Sequence, residues 1–252
     1  MLRRQRAKIH VWWDMKDCPI PEGYDARRVR PSIERALKEL GYTGPVSITA
    51  YANQNETPDH HLLALSSTGV DFAHILPWVE YGSMTSDFEA WKVDNPAPAS
   101  IMIISDEVAS SKSRSSLFCA ALQESNYKCF LAYSVRPFEM PVLVTSAEWL
   151  WDSLLAVSET KRHIFHKCSG SEMVVASTGM FSCKLCYSDC KSLDAFKKHL
   201  ASKEHTKEEH RMTSHSQSAP RRHMLYKISK YHAKASFFFF LMIYIDSQQR
   251  KM

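Results

Sequence analysis

The sequence predicts an α/β domain, a parallel sheet flanked by helices, followed by a small ββα-type module. Three observations lead there. Residues 8–155 alternate short apolar runs with amphipathic stretches, the order that a parallel sheet covered by helices imposes. Gly41, Gly69 and the pair Asn95-Pro96 stand where the helical stretches have to stop, because glycine accepts left-handed backbone and proline cannot continue a helix. Finally, Cys183, Cys186, His199 and His205 are spaced C-x2-C-x12-H-x5-H, the pattern of two thiolates and two imidazoles closing on one ion.

Taken in order, the apolar runs predict strands over Ile9–Asp14, Val46–Ala52, Val70–Ile75, Ser100–Ser105 and Lys128–Tyr133. The segments between them predict helices over Ala26–Leu40, Pro58–Ser66, Thr85–Val93, Ser115–Ser125 and Ser146–Leu155. Residues 156–180 are mixed and polar and read as a linker. The module occupies 181–210, and the remainder, 211–252, reads as a basic tail; from about residue 206 the chain is rich in His, Lys, Arg and Ser without periodicity, which predicts disorder.

Composition narrows the function classes. The chain has 252 residues, 44% of them apolar, and a formal charge of +5, enough for one ordinary core with a third of the length left over. The charge is uneven: residues 1–196 carry 20 Lys/Arg against 23 Asp/Glu, and residues 197–252 carry 12 against 4. A basic end attracts phosphate and favours a nucleic-acid partner. Seven cysteines form no even framework and the Arg-rich start lacks an apolar run after it, so a secreted, disulfide-stapled chain is not expected. The apolar run Phe237–Ile245 would span roughly 14 Å as a helix, about half a bilayer core, so no membrane partner is expected. An intracellular location, nucleus or cytoplasm, is the expectation.

The Cys/His spacing is the most specific signal in the chain. A Cys-x2-Cys turn aims both thiolates at one point, and Ser192 is placed to cap a helix through Leu193, Phe196, His199 and Leu200. Phe181 and Phe196 supply the small core that structural zinc stabilises. Residues six apart on an ideal helix point in different directions, so His205 reaches the ion only if the helix loosens around Ala201–Lys203. Cys190 lies outside the pattern. Phe181-x-Cys-x2-Cys with Phe196, His199, Leu200, Ser202 and His205 resembles the matrin-type, double-stranded-RNA-binding zinc finger family. That resemblance implies recognition of RNA by shape and backbone, with Lys191, Lys197, Lys198, Lys203 and Lys207 as phosphate contacts. DNA or protein as the partner of the module stays open.

The first strand ends in Asp14, and an acid at the carboxyl end of a central parallel strand lies where open α/β sheets bind ligands. Asp87 and Asp106 or Glu107 are the other acids placed to converge with it on a magnesium or manganese ion. Trp13-Asp14-x-x-x-Cys18-Pro19-Ile20-Pro21, Asp94-Asn95-Pro96-x-Pro98-Ala99, Ile101-Met-Ile-Ile-Ser105 and Ser146-Ala-Glu148-Trp149-Leu-Trp resemble the NYN (PIN-like) domain of the limkain, or meiosis regulator and mRNA stability factor, type. The resemblance implies a PIN-like nuclease fold, a metal-binding acidic cluster, an RNA substrate and regulation of gene expression; the animal namesake of the family adds an association with peroxisomes. Asp14 matches the family's first acid and Asp87 its second, whereas Asp17 stands where Asn is usual and Tyr81 where another acid is usual. The family's Ser-Gly-Asp-x-Asp-Phe loop is here Ser105-Asp106-Glu107-Val108-Ala109, so Asp106 can stand for one acid and the last is lost. A hard cation stripped of charged oxygens binds more weakly. Three readings follow: an RNA-binding regulator with a degenerate nuclease domain, an active metal-dependent endoribonuclease using Asp14, Asp87 and Asp106, or a protein-interaction scaffold. Asp59-His60-His61 opens a helix, where Asp favours the dipole, and reads as a cap rather than a catalytic group.

Overall fold

The computed structural model describes residues 6–76, 80–109, 127–136, 145–156 and 178–218, with the side chains of 80–82 and 215–218 left aside. The sequence-predicted helix over Ser115–Ser125, most of the 156–180 linker, Trp78 and the chain beyond residue 218 lie outside these residues. The chain forms two compact units, Met1–Ser202 and Lys203–Met252.

In the first unit the strands are β1 (Ile9–Asp14), β2 (Val46–Ala52), β3 (Asp71–His74), β4 (Ser100–Ile104), β5 (Lys128–Tyr133), β6 (Ala147–Leu150), β7 (Phe181–Cys183) and β8 (Ser188–Cys190). Its helices are α1 (Val29–Glu39, entered through a 3-10 turn at Ala26–Arg28), α2 (Asp59–Ser67), α3 (Glu80–Asp94), α4 (Asp106–Ala109), α5 (Trp151–Ala156) and α6 (Leu193–Leu200). The described strands make one sheet in the order β6-β5-β4-β1-β2-β3-β7-β8. Neighbours are parallel except the β7–β8 hairpin. The chain runs outward from β1 through β2 and β3 on one side, and through β4, β5 and β6 on the other, so the topological switch point lies between β1 and β4.

Each element follows from its residues. Central strands covered on both faces need apolar side chains on both; all five residues of β4 are buried, as are Ile9, Val11, Trp12 and Trp13 of β1. Helix α1 buries Val29, Ile33 and Leu37, one face at four-residue spacing. It ends at Gly41 with φ 85°, where Gly41 N donates to Lys38 O and Tyr42 N to Leu37 O. Gly69, φ 77°, closes α2 with the same pair of bonds, Gly69 N to Ser66 O and Val70 N to Leu65 O. One face of the sheet holds Trp12, Tyr51, Ala73, Ile101, Ile103 and Leu131 against Met84 and Phe88 of α3 and Val108 of α4.

Two sequence-based expectations change. Ser146–Leu155, expected as one helix, is the edge strand β6 followed by α5. The segment after His205, expected to be disordered, is helical as far as Ser218: the second unit opens with α7 (Lys203–Ser218). That helix has few apolar residues to reveal it, and it is braced locally, Arg211 pairing with Glu208, and Thr213 Oγ1 donating to Glu209 O at 2.8 Å.

A third difference matters most. The ββα segment is not a separate bead. β7 pairs in parallel with β3, Phe72 opposite Phe181 and His74 opposite Cys183, so the hairpin extends the sheet. Phe72 N donates to Met180 O at 2.7 Å, Met180 N to Asp71 Oδ1 at 2.8 Å and Lys184 N to His74 O at 3.0 Å. Gly179 makes the approach possible: its N–H bonds Ser66 O, and any Cβ there would stand 1.9 Å from Val70 O.

Candidate metal centre and acidic edge

The hairpin β7–β8 carries Cys183 at the end of its first strand and Cys186 in its turn, and α6 presents His199. Ser192 caps α6 as its sequence implies, accepting from Ala195 N at 3.2 Å. The helix stops at Leu200, Ser202 N turning back to His199 O at 2.9 Å, and a new helix begins at Lys203. That break is the loosening that a five-residue gap between histidines demands. The ligand atoms of Cys183, Cys186, His199 and His205 all lie within 4.8 Å of one another, and they are the group of three or more such side chains that converges among the described residues. Two donors bound tetrahedrally to one ion at about 2.0–2.3 Å sit roughly 3.3–3.8 Å apart, so small side-chain rotations close this set around a metal. Cys190 is not part of it.

The apolar support of the group is shared with the sheet. Phe181 and Phe196 stack at 5.5 Å, and Phe196 also meets Phe72 and His74, each at 6.1 Å. Sequence reading found the Phe181–Phe196 pair but not its partners on β3, since nothing local in Asp71–His74 marks a third neighbour. Of the lysines proposed for phosphate contact, Lys197 pairs with Asp59 at the start of α2. Lys191, Lys198, Lys203 and Lys207 are exposed. Asp59 is thus a first-turn acid, as its position implied, with a partner that the sequence did not reveal.

Among the described residues the carboxylates form no group of three or more placed to hold an ion, and their partners differ. Asp14, fully buried, accepts from Lys16 N at 2.9 Å and Asp17 N at 3.2 Å through Oδ1. Asp17 turns to the β4 side, its Oδ2 accepting from Ser105 Oγ at 3.1 Å and Glu107 N at 3.0 Å. Asp106 leans towards the end of β5, where Ser134 N donates to Oδ1 at 2.6 Å and Ser134 Oγ to Oδ2. Asp87 lies across the β2–β3 side: it accepts the Tyr51 hydroxyl, and Lys184 Nζ sits 2.9 Å from Oδ1 and 2.8 Å from Oδ2. Asp14, Asp17 and Asp106 do share Cys18, buried with its Sγ 4.0 Å from Asp106 Oδ1. Burial first, then the charges of Asp106, Asp17 and Asp14, push that thiol far above its ordinary range. Cys18 is therefore expected to resist alkylation in native protein at neutral pH, while Cys190, half-buried and outside the ligand set, reacts; peptide mapping after brief iodoacetamide treatment checks it.

The loop carrying Cys18 is pinned from both sides. Trp13 Nε1 donates to Cys18 O at 2.8 Å and Trp151 Nε1 to Pro19 O at 2.7 Å, their rings 5.2 Å apart. The Trp-Asp-x-x-x-Cys-Pro motif and the distant Trp149-Leu-Trp151 are thus one structure. A family profile, the NYN domain, matches residues 8–148, more than half of the chain. The chain belongs to the NYN domain family. Comparison with curated proteins returns no match. NYN domains are PIN-like, nuclease-type and RNA-associated, and the nuclease-like members use divalent metals. The Cys/His group and Lys184 fall beyond the matched NYN residues. The acids of this NYN domain fit such an ion poorly as they stand, since Asp87 is held by an ammonium and Asp106 by Ser134. Among the described residues no helix is long and apolar enough to cross a membrane.

Proposed function

We propose that this NYN protein is an RNA-binding regulator of gene expression in which Cys183, Cys186, His199 and His205 close on zinc as a matrin-type finger that grips structured or double-stranded RNA. The observation that carries this reading is the convergence of a C-x2-C-x12-H-x5-H ligand set within 4.8 Å, in a segment that continues an NYN sheet. The donor chemistry suits zinc: two thiolates and two imidazoles in a closed set, with no position left for water, are a structural rather than a catalytic centre. Lys191, Lys198, Lys203 and Lys207, exposed, supply the phosphate contacts, and the match of a duplex by shape needs no base edges. The NYN body contributes a rigid platform and little cleavage, because its acids are spent on Ser134, Tyr51 and Lys184.

The test is a fluorescence anisotropy titration of the zinc-loaded chain with a labelled RNA duplex, the matching single strand and the matching DNA duplex. Tightest binding to the RNA duplex is expected, with a slope of log K against log salt of about −3 to −4, one counterion for each of four lysines. The double variant Lys191→Ala/Lys198→Ala is expected to flatten that slope by about 2. Failure to shift any RNA at low salt discards the reading in favour of a protein scaffold.

A second reading, a metal-dependent endoribonuclease acting through Asp14, Asp87 and Asp106, is favoured by the place of Asp14 at the β1–β4 switch point. Manganese-dependent cleavage of single-stranded RNA that disappears in Asp14→Asn would support it, and its absence at high enzyme concentration would remove it.

A further inference from the structure

The row Asp14, Tyr51, Ala73 and Ser182 runs straight across β1, β2, β3 and β7, partner to partner, on the face that α3 covers. Side chains alternate along a strand, so Lys184, two residues past Ser182 and one past the end of β7, rises from that same face at the carboxyl edge of the sheet. There its ammonium spans both oxygens of Asp87 while the Tyr51 hydroxyl holds Oδ2 from below. The two charged side chains are each about a quarter exposed, 24% for Lys184 and 27% for Asp87, so water screens the pair only in part. The backbone of Lys184 is fixed as well, its N–H on His74 O, and the residue lies between two members of the Cys/His group. Position, charge and backbone are therefore all set by the segment that lies outside the NYN match.

We infer that Lys184 is the resident cation of Asp87, occupying with one fixed ammonium the place where a hard divalent ion would otherwise gather oxygens, so that the docked Cys/His segment keeps the NYN acidic edge closed to metal. This deepens the reading of a degenerate NYN domain and rests on it. An ammonium offers one positive charge and three donors without demanding octahedral oxygens; it pairs with a lone carboxylate that already accepts from a phenol, where an ion stripped of two family carboxylates finds too few charged oxygens to replace its hydration. The segment and a divalent ion compete for Asp87, and competition of this kind is reciprocal: whatever loosens the segment opens Asp87, and an ion on Asp87 loosens the segment.

Paramagnetic broadening by manganese, read on backbone amides of the zinc-loaded full chain, tests this without recourse to activity. Asp152, exposed on α5, serves as the internal reference for weak, unspecific attraction. In the wild type, amides around Tyr51 and Asp87 are expected to broaden no earlier than those around Asp152. In Lys184→Gln they are expected to broaden first, at a manganese concentration lower by about fivefold or more, and the double variant Lys184→Gln/Asp87→Asn should return to the wild-type order. Lys184→Met is the second variant should the glutamine fail to fold, and Lys184→Arg, which keeps the charge, should behave as the wild type. Early broadening at Asp87 in the wild type, or folded Lys184 variants that broaden as the wild type does, overturns the inference. Those results leave the wild-type titration with duplex RNA untouched, so the two readings fail separately.

Discussion

Removing the metal with a strong chelator is expected to release the segment from Met180 to Leu200 while β1 to β6 stay folded. In isolated modules of this kind the ion supplies about 10–16 kcal/mol, nearly all of the folding free energy. Here the segment also has Phe72, His74 and the β3 edge to lean on. A three-residue strand and two rings on β3 are too little to order it alone. Hydrogen exchange reads the outcome at named amides. Phe72 N, bonded to Met180 O, and Lys184 N, bonded to His74 O, should lose protection on chelation, whereas Ser105 N, bonded to Ala132 O, should keep it. Uniform loss across the sheet would mean that the NYN body depends on the segment, and unchanged protection would mean that the ion is dispensable.

Phe196→Ala is expected to be the most damaging single truncation at the seam. Phe196 is fully buried and meets Phe181, Phe72 and His74 together, so its loss empties a space that neither α6 nor the sheet edge can fill. Truncations of this size cost about 3–5 kcal/mol. If the segment folds around zinc as proposed, folding and metal affinity are one equilibrium, and the same loss should weaken zinc by about a hundredfold or more, read by competition with a chromophoric chelator. Tyr187→Ala, at a residue 80% exposed, is the control and should leave affinity unchanged.

Much of the NYN fold was legible because apolar runs there coincide with strands. β1, β2 and β5 have the bounds that their runs imply, and Gly41 and Gly69 end helices with positive φ. β6 was not legible: Ala147-Glu-Trp-Leu mixes good helix formers, and as an edge strand it carries its information in pairing with β5 rather than in its own pattern. α3 starts at Glu80, five residues before the periodicity becomes visible. In the Cys/His group the convergence of the four side chains, the Ser192 cap and the break before Lys203 were all readable, since each is set by local geometry. Its attachment to β3 was not, because Phe181 and Phe72 are far apart in sequence and a three-residue strand leaves no period to detect. Lys184 escaped for a related reason: a lysine inside a Cys-x2-Cys turn reads as a solvated charge until the sheet register carries it to Asp87.

Cobalt substitution of the purified full chain tests the central claim most directly. If Cys183, Cys186, His199 and His205 close around one ion, one equivalent of cobalt should give the intense visible bands of a tetrahedral site and the thiolate charge-transfer band of two sulfurs, both bleached by one equivalent of zinc. A weak octahedral spectrum, or bands that survive unchanged in Cys183→Ser, would contradict it.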